Sequence, residues 1–145
     1  MNITFRAMTI DDYRVVASLW KETEGVGLTE ADSESGIDSF LQRNPGMSVV
    51  AVNDCGIILG TLLCGHDGRR GYLHHLAVVP PYRAKGIASA LIEWSFECLG
   101  AEGIEKCNVF LLSSNEAGAA FWAHNGWLRR QDLQVFQKMV RSGEG

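Results

Sequence analysis

Tyr72-Leu73-His74-His75-Leu76-Ala77-Val78-Val79-Pro80-Pro81-Tyr82-Arg83-Ala84-Lys85-Gly86-Ile87-Ala88 changes its structural period partway along. Tyr72 to Val79 mixes aromatic, histidine and aliphatic residues as a strand does, and it stops at Pro80-Pro81, where backbone donors run out. From Gly86 onward Ala88, Leu91, Ile92, Ser95, Phe96 and Leu99 follow helical spacing, with Glu93 and Glu97 on another face. Arg83 to Ala88 therefore lies between a strand end and an amphipathic helix. Small residues there let backbone N–H groups approach a ligand closely. Four unpaired N–H groups at the helix start, its positive dipole end and the cations Arg83 and Lys85 suit a pyrophosphate. The segment has no Gly-Lys-Ser/Thr and no G-x-G-x-x-G run with a downstream acidic partner, so nucleotide hydrolysis and hydride transfer lose ground.

Working outward, residues 2 to 8 suit a first strand, and Thr9 with Asp12 signals a helix running to about Glu22. A second helical pattern spans about Ser33 to Arg43 and stops before Pro45-Gly46. Met47 to Val52 and Ile57 to Cys64 read as a hairpin around Asn53-Asp54-Cys55-Gly56. After the helix that begins at Gly86 come a strand at about Ile104 to Leu112 and a helix at about Asn115 to Asn125. Two short strands are expected around Trp127-Leu128 and Leu133 to Val140. The sum is an α+β fold, with one mixed, mostly antiparallel sheet of six to seven strands flanked by about four helices.

The chain has 145 residues, 13 Lys+Arg against 17 Asp+Glu, and a formal charge of -4. That balance argues against nucleic acid or an anionic membrane as partner, because phosphate backbones are bound through clustered Lys and Arg. No linker or repeat divides the chain, so one domain over residues 1–140 is expected, followed by a flexible tail at 141–145. There is no signal-peptide pattern, and no apolar run approaches the roughly 18 residues of a membrane span, so the protein reads as soluble and cytoplasmic. Cys55, Cys64, Cys98 and Cys107 form no C-x-x-C pair and read as reduced core residues. No Cys/His spacing supports a metal site.

Arg83 to Ala88 resembles the Arg/Gln-x-x-Gly-x-Gly/Ala pyrophosphate loop of the GNAT N-acetyltransferases, which bind acetyl-coenzyme A. Leu76-Ala77-Val78 stands just upstream like that family's central strand end. Asn115-x-x-x-Ala119-x-Phe121-Trp122-x-x-x-Gly126-Trp127 resembles its later Asn…Ala…Phe-Tyr-x-x-x-Gly-Phe segment. Gly60-Thr61 and the Tyr/His-Leu-Ala-Val run are similar to small bacterial members of the YpeA type. The resemblance implies a sheet splayed at an acetyl-coenzyme A site, with coenzyme A as product. Pantetheine would then pair with backbone at Leu76 and Val78, beside Ala77. The pyrophosphate would lie on Arg83, Ala84, Lys85, Gly86, Ile87 and Ala88, and Asn115, Ala119, Phe121 and Trp122 would stand along the cofactor. Asn115 also suits a helix N-cap, and the two roles can coexist.

Acetyl transfer to an amine needs a neutral amine, a route for its proton and protonation of the leaving thiolate. Period-two alternation puts Tyr72, His74 and Leu76 on one strand face and His75 on the other. The resemblance points to Tyr72 and His74 as catalytic positions, with His74 as first choice for the base, against a plain packing role; His75 reads as packing or surface. Trp122 stands where many members have the Tyr that protonates the thiolate. Its indole N–H cannot do so, which leaves Tyr72, another group or water. The acceptor side implied by the fold includes Trp20, Glu24 and Leu28, with further carboxylates at Glu22, Glu30 and Asp32. These suggest a cationic amine on a small molecule, an amino-acid derivative or a peptide N-terminus, unless the segment is simply solvated. An acyl-coenzyme A binding module without chemistry is the alternative. Exposed apolar residues such as Val135, Phe136 and Met139 either pair across a homodimer or close the core.

Overall fold

The computed structural model describes residues 2–141; of the expected tail, residues 142–145 lie outside the described residues. The chain groups into two compact units, Met1–Leu112 and Ser113–Gly145. The first holds β1 (Thr4–Ala7), α1 (Tyr13–Glu22), α2 (Glu34–Arg43), β2 (Val49–Val52), β3 (Ile58–His66), β4 (Gly71–Val78), α3 (Ile87–Ala101) and β5 (Cys107–Val109). The second holds α4 (Glu116–His124). The sheet runs β1-β2-β3-β4-β5; every neighbouring pair is antiparallel except the parallel β4 and β5.

The β2–β3 hairpin closes because the Asn53 side-chain oxygen accepts from the N–H groups of Cys55 (2.9 Å) and Ile57 (3.0 Å), while Gly56 takes a left-handed φ of +80°. All four β2 residues are buried, since helices cover both sheet faces. On one face Val50, Val52, Ile58, Leu63 and Ala77 pack with Val16, Leu19 and Trp20 of α1 and Ile37 of α2. On the other lies α3. A Cβ at Gly60 would come within 3.3 Å of Ile87 and Leu91, and one at Gly71 within 2.7 Å of the tip of Leu99, so glycine lets the helix pack closely on these strands. The buried row of α3 is Ile87, Leu91, Ser95 and Leu99; Phe96, expected on that face, is exposed.

Five strands form among the described residues rather than six to seven. No strand forms at Trp127-Leu128 or Leu133 to Val140, and β5 covers Cys107–Val109 rather than Ile104 to Leu112. Leu128, Leu133, Val135, Phe136, Met139 and Val140 are all exposed. Apolar β-formers make a strand only with a ladder partner, and their spacing, with Val135 beside Phe136 and Met139 beside Val140, lacks strict alternation. The four cysteines are free, but Cys55 is exposed in the hairpin turn rather than in the core. Burial pushes the Cys64 thiol up to about 12 and that of Cys107 to about 11, so both stay protonated.

Candidate active site

The β3–β4 ladder runs from His66 opposite Gly71 to Leu63 opposite His74, then resumes at Thr61 opposite Ala77. One β3 residue, Leu62, thus faces two in β4, His75 and Leu76. This is a β-bulge, and His75 within it has a φ of +56°. The bulge corrects the expected division of faces. The His74 ring lies 6.0 Å from Phe40 of α2, and the His75 ring 4.9 Å from Trp20 of α1, so both histidines face the α1–α2 side. Tyr72 stands opposite Gly65, where a Cβ would strike Phe40 and Asn44, and its ring is 5.8 Å from Phe110.

Burial pushes the His74 imidazole below its ordinary value, the neighbouring His75 acts the same way, and Asp32 partly opposes them. A half-buried histidine with a lowered value is neutral near pH 7 and can accept a proton. The Asp32 carboxylate is 2.7 Å from His75 Nε2.

β5 pairs with β4 only from Gly71 to Leu73. Beyond Leu73 no strand pairs with that edge of β4 among the described residues, so His74, His75, Leu76, Ala77 and Val78 have a strand partner on the β3 side alone. The strand then turns through Pro80–Tyr82 into Arg83 to Gly86, all exposed. Arg83 Nε donates to the Val78 carbonyl at 2.8 Å, which ties the loop to the strand end. Ala84 and Gly86 adopt φ of +61° and +85°. Nothing lies within 4 Å of a Cβ built on Gly86, so glycine is required there for its backbone conformation rather than for space. Gly86 caps α3 without any side-chain bond, which leaves the first-turn amides beside Lys85 without a side-chain acceptor. Ile87 is buried and Ala88 half-buried at the start of that turn.

In the second unit Asn115 caps α4, its side-chain oxygen accepting from Gly118 N–H at 2.8 Å. A Cβ on Gly118 would meet that side chain at 2.5 Å, so glycine lets the cap close. Trp122 is buried, edge-on to Phe121 at 5.1 Å and to Trp127 at 4.8 Å, while Ala119 and Phe121 are half-buried. On the expected acceptor side, Glu24 and Leu28 are exposed in the segment after α1, whereas Trp20 is completely buried behind His75. The bulge carries no signal in the sequence, where strict alternation sends the adjacent histidines to opposite faces. Among the described residues no group of three His, Cys, Asp or Glu could hold a metal ion, and no helix is long and apolar enough to cross a membrane.

The family model described as Acetyltransferase (GNAT) family matches residues 13–127. An acetyltransferase of Yersinia pestis (strain Pestoides F) is 36% identical over 131 residues, covering 90% of this chain and 91% of that protein. The fold is similar to that of a GNAT-family acetyltransferase from Staphylococcus aureus Mu50, with a TM-score of 0.78 at 16% identity over 97% of this chain and 95% of that one. It is also similar to the PaiA N-acetyltransferase of Thermoplasma acidophilum in complex with coenzyme A, with a TM-score of 0.74 at 20% identity over 87% and 89%.

Proposed function

As the chain belongs to the acetyltransferase (GNAT) family, we propose that this acetyl-coenzyme A-dependent enzyme acetylates a primary amine by direct attack within a ternary complex. The acceptor is a small molecule, an amino-acid derivative or a protein N-terminus, and the protein acts in the cytoplasm without nucleic acid or membrane as partner. The observation that carries the reading is the open edge of β4 leading straight into a glycine-started helix. An extended amide-bearing arm pairs with such an edge, and a diphosphate suits free helix amides flanked by two cations.

The residues present suit acetyl-coenzyme A. Arg83, Ala84, Lys85, Gly86, Ile87 and Ala88 would hold the pyrophosphate, and the backbone of Leu76 and Val78, beside Ala77, would pair with the pantetheine amides. The Val78 carbonyl keeps a lone pair beyond the one given to Arg83. On the family resemblance alone, Asn115, Ala119, Phe121 and Trp122 also touch the cofactor. Bound there, acetyl-coenzyme A supplies a thioester carbonyl open to attack by nitrogen. His74 takes the amine proton, directly or through a water, and its burial keeps it neutral to do so. Tyr72, on the same strand, returns a proton to the leaving sulfur. Exposed Glu24, with Leu28 beside the same approach, favours a cationic amine. Trp20 supports this side from beneath, and a homodimer is compatible with every one of these roles.

A thermal melt with acetyl-coenzyme A, using ATP and NAD as phosphate-bearing controls, tests the reading. A specific site at a hundredfold excess over Kd adds about 2.7 kcal/mol, a shift of several degrees, and Arg83→Ala should shrink it. An equal shift with ATP, or none at all, defeats the proposal. Trp122, standing where a proton-donating Tyr is common in the family, favours a second reading, a binding module without chemistry. Saturable binding with no amine-dependent thiol release would select it.

A further inference from the structure

His75 is the strained point of β4, and its surroundings hold it there. A φ of +56° is unfavourable for a histidine and persists only where neighbouring groups over-determine it. Behind the ring is Trp20, completely buried, at 4.9 Å. In front is Asp32, whose Oδ1 lies 2.7 Å from His75 Nε2; both side chains are largely buried. Asp32 is itself fixed. Its Oδ2 accepts from Thr29 N–H at 3.0 Å, and its carbonyl accepts from Tyr13 Oη at 2.7 Å. An ionised carboxylate only accepts, so the bond assigns a proton to Nε2 and sets the ring orientation.

We infer that Asp32 and His75 form a clamp joining the acceptor-side segment Thr29–Asp32 to the β4 bulge, so that His74 and the open strand edge stay in register for transfer. Both are positioning residues, and the role in transfer rests on the acetyltransferase reading above. The clamp makes the turn after Leu28 and the bulge one mechanical piece, although they are far apart in sequence. A displacement of the bulge moves His74 and the Leu76 backbone together, and misplacement of about 1 Å is enough to cost a large factor in rate.

The test separates holding the bulge from taking part in chemistry. His75→Ala should lower kcat by about tenfold or more with acetyl-coenzyme A affinity little changed, since alanine resists the left-handed conformation. His75→Gly should retain clearly more activity, because glycine adopts a positive φ without penalty. Asp32→Asn, whose single amide oxygen can accept from Nε2 while its NH2 forfeits the bond from Thr29 N–H, should fall between wild type and Asp32→Ala. Equal losses in His75→Gly and His75→Ala, with hydrogen exchange at residues 29–33 and 74–78 unchanged in both, would mean that the imidazole acts in the chemistry rather than as a clamp, and wild-type rates in both would remove the clamp; either result overturns the inference. Hydrogen exchange gives a readout independent of turnover. In Asp32→Ala the amides of residues 29–33 and 74–78 should exchange about tenfold faster, while those of β1 and β2 stay unchanged. Unchanged exchange at 74–78 overturns the clamp even if transfer is intact. If wild type neither binds acetyl-coenzyme A nor turns over an amine, the acetyltransferase reading falls, and exchange still decides whether the clamp exists.

Discussion

Arg6 meets Asp12 through two nitrogen–oxygen hydrogen bonds of 2.9 Å, and Arg130 meets Asp132 through two of the same length. The forks are alike; their settings are not. The Asp12 side chain is 10% exposed, and its carboxylate also accepts from Thr9 N–H at 2.9 Å, which joins β1 to the turn before α1. Asp132 is 66% exposed, in a stretch where Leu133, Val135 and Phe136 also face solvent. The apolar residues repeat the contrast, for Leu62 in β3 is completely buried whereas Phe136 is almost fully exposed. Local chemistry is the same in both regions, and what differs is whether other elements cover it. Water competes for an exposed ion pair and screens it, so a two-bond fork of the same length stabilises far less there.

Substitutions can break this contrast, and the largest effect belongs to the core. Leu62→Ala should cost about 2–5 kcal/mol in urea unfolding, because the covered sheet cannot collapse into the cavity. A loss below about 1 kcal/mol would mean that the sheet repacks freely.

Next comes Asp12→Asn, expected to cost about 1–3 kcal/mol at neutral pH by leaving Arg6 without a charged acceptor. Burial alone would raise the Asp12 carboxyl, but the Arg6 hydrogen bond, the Thr9 N–H and the Arg6 charge outweigh it and hold the group below its ordinary value of 3.8. A lowered folded value contributes stability fully above the unfolded value, and that contribution is lost as pH falls through the folded one. The gap between wild type and Asp12→Asn should therefore narrow as pH drops below about 4. A gap of constant size at strongly acidic pH would show that shape rather than charge sets the cost.

The smallest effects should come from the exposed stretch. The Arg130 hydrogen bond holds the Asp132 carboxyl down to about 2, yet the pair is solvent-exposed, so Asp132→Asn should leave the melting temperature unchanged at physiological salt. Phe136→Ser should change stability by no more than about 0.5 kcal/mol. A larger loss in either would reveal that something covers residues 130–136 in solution, and analytical sedimentation of wild type and the Phe136→Ser variant would show whether a second copy does.

Much of the candidate site was legible because it is local. Strand composition up to Pro80, two cations and a glycine before a helical period, and Asn115 ahead of α4 each act within a few residues, which is the range of turn and cap chemistry. The β4 bulge was not legible. Alternation assumes an unbroken pleat, and one extra residue sent His75 to the face of His74. The late strands failed for a related reason: residues 133–140 have β-forming side chains, but a strand exists only as half of a pair.

The sequence by itself determined the order of elements as far as α4, the antiparallel hairpin of β2 and β3, the anion-suited start of α3 and the family to which the chain belongs. Those features arise from short-range sterics, periodicity and capping, which act wherever the segment finds itself. Only the tertiary structure decided that β4 bulges at His75, that Asp32 reaches that ring from the turn before α2, and that the sheet stops at five strands among the described residues. Each depends on groups distant in the chain meeting in one place, and no local pattern of residues specifies which partner arrives.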